Sequence, residues 1–166
     1  MTPEQRRPPS DAVEEFKALR GVEPFGPFID LLASPELMTR VSALGEYLRY
    51  RSALPPRLSE FAILITAAHW QQQFEWDIHA PIAAKAGVPQ AVIDAIWAHI
   101  PPPGLDPEQQ ALYELCIALH RERAVSPDLR NRTQAVLGEQ ATIDAIAICG
   151  YYAMLAMVLN SQQNRI

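Results

Sequence analysis

Cysteine is scarce in this chain. Its 166 residues include two, Cys116 and Cys149, and no Cys-x-x-Cys pair. The two lie far apart in sequence, which excludes a zinc ribbon and a local dithiol redox motif. A surplus of positive charge is missing too: 14 Lys and Arg stand against 19 Asp and Glu, for a net charge of -5. With no basic stripe interleaved with aromatics, nucleic acid is not an expected partner. The N-terminal residues lack the apolar run of a signal peptide, so a cytoplasmic protein with reduced thiols is expected. The apolar stretch from Ala145 to Leu159 falls short of the ~20 residues that span a bilayer. It reads as a buried or interface helix, with no membrane partner. Nowhere does hydrophobicity alternate with period two between turn signals, so strands are not expected.

What the chain has is apolar helical periodicity. With 49% hydrophobic and 20% charged residues, the composition is globular and rich enough in apolar side chains to reserve some for a subunit interface. Residues 1–33 read as an N-terminal arm and strap. The arm, 1–9, is polar and proline-rich; Ser10 caps a short helix ended by Gly21, and Val22 to Phe28 form an irregular hydrophobic strap able to roof a pocket. Residues 34–166 read as a single all-α domain. Its helices are predicted from Pro35 to Arg51, Arg57 to Trp70, Phe74 to Ala86, Pro89 to His99, Pro107 to Arg123, Ser126 to Leu137 and Glu139 to Leu159. A weak internal echo relates the Glu60 helix to the last one, whose copy lacks Glu and His at matching places.

Four polar residues break the apolar pattern. Gln72, Glu75 and His79 line one helix face, and that face continues through Ile82, Ala83 and Ala86. Glu60 lies in line with Leu64 on a helix that is apolar almost all round, where a carboxylate needs a partner. If the two helices pack together, Glu60, Glu75 and His79 meet in one semi-buried pocket. Two carboxylates and an imidazole suit acid/base chemistry, because imidazole exchanges protons near neutral pH. Arg57, one turn before Glu60, is the candidate cation for an anionic substrate; Gln72 and Trp76 are candidate substrate contacts, with Trp70, Phe25 and Phe28 as further walls. The same set, with His69, suits a metal centre as a second reading, although no cofactor or metal is the expectation. A third reading is a non-catalytic oligomeric binding protein that keeps the pocket.

The run Arg57 to Gly87, with Arg-x-x-Glu, an apolar helix and then Glu-Trp-x-x-His-x-Pro-x-Ala-x-x-Ala-Gly, resembles the carboxymuconolactone decarboxylase and alkylhydroperoxidase D superfamily. The resemblance implies a compact all-α fold that assembles into homo-oligomers, trimers or hexamers. It implies a lyase of aromatic catabolism acting on a small carboxylated lactone or a keto or enol acid. In the peroxidase branch, the site is a Glu, a Cys-x-x-Cys and a His. Here Glu60 and His79 take the first and last places, while Gln72 and Glu75 stand where the cysteines would be. Neither an amide nor a carboxylate can act as a thiolate nucleophile, so thiol peroxidase activity at that motif is not expected.

Overall fold

A computed structural model describes residues 8–162, and among these there are nine α-helices and no strand. The helices are α1 Pro9–Arg20, α2 Pro27–Leu31, α3 Pro35–Tyr50, α4 Pro56–His69, α5 Gln73–Lys85, α6 Gln90–Trp97, α7 Pro107–Ile117, α8 Pro127–Leu137 and α9 Glu139–Asn160. Five-residue turns of π-helix, Ala118–Glu122, extend α7. Most of the expected arm lies outside the described residues. The all-α expectation holds.

Two compact units divide the chain, residues 1–51 with 158–166 and residues 52–157. The sequence suggests a division at 33/34, but α3 packs on α1 and so belongs to the first unit. In this unit, α1 starts at Pro9 after Pro8, so Ser10 lies inside the helix instead of capping it. Gly21 closes α1 in the left-handed region, at φ 71°, where a Cβ would be strained. The strap is partly helical, since α2 forms at its end. Phe25 and Phe28, candidate pocket walls for which ordinary packing is the commoner role, pack around Phe16, with the Phe16–Phe28 centroids 4.8 Å apart, and the Arg20 guanidinium lies over Phe16 and Phe28. Burying Phe16 and Phe28 against each other, with the half-exposed Phe25 ring at their edge, gives this short segment a fixed shape.

The second unit is organised around α4. Every residue from Leu58 to Ala68 is buried, because α5, α6 and α7 all pack against this helix. Its termini are set by Pro55 and Pro56 at one end and by the left-handed Gln71 (φ 50°) at the other. Trp70 to Gln72 is too short a link to let α5 leave, so α5 runs back along α4. Asp106 starts α7 with a capping box: its carboxylate accepts from the Gln109 backbone N–H at 2.9 Å, and Gln109 Oε1 reaches back to the Asp106 N–H. Gly87 has φ 99° and lies where an added Cβ would meet Arg57 Cδ at 3.8 Å.

Helix α9 has 22 residues and is long and apolar enough to cross a membrane by length and composition. Half of its most apolar window is nevertheless buried within the fold. Asp144, also buried, accepts a hydrogen bond from the Ala53 backbone N–H at 2.7 Å. A helix tied down by a buried carboxylate is a core element.

Candidate active site

The apolar packing of α4 on α5 brings Glu60 against His79. His79 Nδ1 lies 2.7 Å from Glu60 Oε2. A carboxylate accepts and cannot donate, so Nδ1 carries the hydrogen and donates it, which fixes the ring's orientation. Glu75, one turn before His79 on α5, approaches from the other side, with Oε2 3.7 Å from Nε2. That is too long for a hydrogen bond and short enough for strong electrostatic coupling. All three residues are about 95% removed from solvent, at 5, 4 and 4% exposure for Glu60, Glu75 and His79. Charges this deep interact more strongly than surface pairs, and removing one partner leaves the other unpaired in a poorly solvated place.

The sequence did not single out Tyr152. Its ring on α9 stands edge-on to His79, centroids 5.0 Å apart at 87°, and it contacts Tyr151 in turn. Only the packing of α9 reveals this contact; the one local cue was two adjacent aromatics in an aliphatic helix.

The other expected site residues have different surroundings. Gln72 is buried and caps α5, its Oε1 accepting from the Phe74 backbone N–H at 2.9 Å. Trp76 packs on Trp97, centroids 4.6 Å apart. Arg57 reaches across to α7, with Nη1 2.6 Å from Asp106 and Nη2 3.1 Å from Glu108. Its ion-pair partners are thus Asp106 and Glu108. Burial opposes ionisation of Asp106, but the Gln109 N–H and the Arg57 guanidinium outweigh it and hold the carboxyl below its ordinary range. Among the described residues, no group of three or more His, Cys, Asp or Glu is disposed to hold a metal ion. His79 stands between its two carboxylates, which keeps Glu60 from sharing an ion with Nε2. His69, the proposed fourth ligand, ends α4 and stacks on His120, centroids 4.7 Å apart.

Away from the Glu60–His79 motif, α7 and α9 bring the Cys116 and Cys149 Sγ atoms to 3.5 Å in the interior, both as free thiols. Residues 33 apart on different helices give no local signal of such a meeting.

The whole chain superposes on the crystal structure of the debrominase Bmp8 in its apo form, with TM-score 0.71, 13% identity and coverage of 100% of this chain and 89% of that one. At that identity the likeness defines a shared all-α fold. The sequence model of the carboxymuconolactone decarboxylase family matches residues 35–116, a span that contains Glu60, Glu75 and His79. Over that span the chain carries the family's sequence pattern. No curated protein matches it.

Proposed function

We propose that the protein is a cofactor-free acid/base enzyme acting on a small carboxylated lactone or a keto or enol acid, by decarboxylation or proton transfer at carbon. The observation that carries this reading is the buried Glu60–His79 bond. Losing CO₂ beside a conjugated lactone leaves a dienolate, which must be stabilised and protonated at one carbon. With Nδ1 held by Glu60, Nε2 is the nitrogen that delivers or takes the proton. Glu60 stabilises the imidazolium formed in that step, and Glu75 passes a second proton or opposes the substrate carboxylate until it leaves as neutral CO₂.

So closed a cluster admits substrate only when a neighbouring side chain moves, and Tyr152 against the His79 ring is the one placed to do so. Arg57 already holds two acids and would serve an anionic substrate by exchanging one of them for the substrate's carboxylate. Gln72 and Trp76 shape the start of α5. Assembly into a trimer or hexamer belongs to the same reading, supported by Ile143 and Met157, which stay 48% and 51% exposed on α9. Free thiols at Cys116 and Cys149 suit a reducing cytoplasm.

The test is a screen of carboxylated lactones and keto acids for CO₂ release or solvent-hydrogen exchange, with wild type beside His79→Ala. Turnover that disappears in the variant supports the reading. Tight binding of such acids without turnover would instead make the protein a binder.

A further inference from the structure

The Cys116–Cys149 contact belongs to a second polar cluster that the proposed acid/base reaction does not use. Cys116 ends α7 and Cys149 lies on α9; they are 0% and 3% exposed. His120 follows Cys116 by four residues, inside the π-helical turn Ala118–Glu122, which the left-handed Arg123 (φ 58°) terminates. A π turn is a costly departure from α geometry and recurs where a side chain must be re-aimed for function. His120 Nε2 lies 3.0 Å from Thr66 Oγ1, and Thr66 donates its own hydrogen to the Ala62 carbonyl at 2.9 Å. Toward His120 the hydroxyl is therefore an acceptor, so Nε2 carries a hydrogen. The Cys149 thiol is drawn down to about 5 by the hydrogen bond from Cys116, which outweighs burial, with His120 adding to the effect; the same bond and burial push Cys116 up. One sulfur is thus poised as thiolate and the other as its thiol partner.

His120 also faces open space on the side away from the buried sulfurs. It lines a small cavity of about 30 Å³ with His69, His99 and Tyr113, and an open cleft of about 650 Å³ with Trp70 and Arg123. The smaller space has room for about two water-sized molecules, so an oxidant that approaches the pair past His120 must be as small as a simple peroxide.

We propose that Cys149, Cys116 and His120 form a second, thiol-based redox site whose oxidant is a small hydroperoxide. Cys149 thiolate attacks one peroxide oxygen; the S–O bond forms, the O–O bond breaks, and the departing oxygen takes a proton from His120 and leaves as water or alcohol. Cys116 then gives its proton to His120 and attacks Cys149 Sγ. The S–S bond forms, the S–O bond breaks, and hydroxide leaves as water with the proton from His120. Two thiols and one peroxide become one disulfide and two molecules of water, or water and alcohol, the sulfurs losing two electrons and the peroxide gaining them. An external dithiol reopens the bond by exchange.

The test treats the full-length purified protein with a modest excess of hydrogen peroxide and reads intact mass and titratable thiols after acid quench. Wild type should lose about 2 Da and both thiols without forming a covalent dimer, and dithiothreitol should restore them. Cys116→Ser should stop at a Cys149 sulfenic acid, heavier by about 16 Da and captured by dimedone. His120→Asn, if its circular dichroism matches wild type, should slow disulfide formation by about tenfold or more. Retention of both thiols by wild type, over-oxidation of Cys149 with Cys116 intact, or disulfides only between chains would each overturn the proposal. The wild-type arm decides the matter even if a variant fails to fold.

Discussion

The second unit holds two imidazole clusters on α4 and α9, one buried around His79 and one half-buried around His120. Around His79, the partners are Glu60 on α4 and Glu75 on α5, with Tyr152 of α9 at the ring face. Around His120, the partners are Thr66 on α4 and the thiol pair that α9 completes through Cys149. The first sets an imidazole between oxygens that hold protons and charge, which suits transient proton transfer. The second sets one beside sulfur, which can be left in a different covalent state. The partner atom, more than the imidazole, decides which chemistry a histidine serves.

The largest effect that would separate the clusters is on turnover. His79→Ala and Glu60→Gln should each lower kcat by about 10²–10⁴ with much smaller changes in KM, and the double variant should be hardly worse than either, because the pair acts as a unit. Replacing Cys116 and Cys149 together by Ser should leave that turnover largely intact. Fully additive losses, or a comparable loss on removing the thiols, would merge the two clusters into one machine. Glu75→Gln should shift the pH profile if Glu75 exchanges protons in the site.

Stability gives a second, smaller contrast. Phe61 is fully buried beside Glu60 on α4, so Phe61→Ala should cost about 3–5 kcal/mol in urea unfolding. This serves as the control for activity lost through packing alone. Thr66→Val keeps shape but leaves the His120 hydrogen without its acceptor, and should cost about 1–3 kcal/mol. If the cost is negligible, the Thr66–His120 bond does not organise the thiol cluster.

The smallest expected effect concerns pH. Loss of hydration first, then His120, Arg121 and His99, hold the His69 imidazole below its ordinary 6.5. The folded state therefore binds this proton less readily than the unfolded chain does. Its contribution to stability is fully present above pH 6.5 and is lost as pH falls through the lowered folded value. Urea midpoints of wild type should decline over that acid window, and those of His69→Gln should decline less.

The sequence made the first cluster legible and hid the second, for reasons of chain distance. Glu60 and His79 lie on consecutive helices joined by a short link, so two apolar patterns suffice to predict that they meet. Gly21 and Gly87 likewise announce ends in their own segments. Arg57 has Glu60 one turn away, yet its acids are Asp106 and Glu108 at the start of α7, which only tertiary packing selects. Cys149 and Tyr152 come from α9, a helix apolar on so many sides that its pattern does not say which residues face which neighbour. The π turn carries no distinctive composition. Ser10 illustrates a finer limit: it looks like a cap, but Pro9 already starts the helix, and the Ser10 side chain makes no capping bond.

Pro81, two residues beyond His79 inside α5, has a consequence for the evolvability of the proposed site. With no N–H to give, proline denies the Asp77 carbonyl its usual partner four residues on, and its ring crowds that carbonyl. The turn carrying His79 therefore lacks one of its helical hydrogen bonds. Pro81→Ala would restore a helical hydrogen bond and a better helix former, a change that selection for robustness alone would favour. It would also reset the angle at which His79 meets Glu60. A variant that melts later and turns over more slowly would show that this stretch of helix trades durability for the placement of one imidazole.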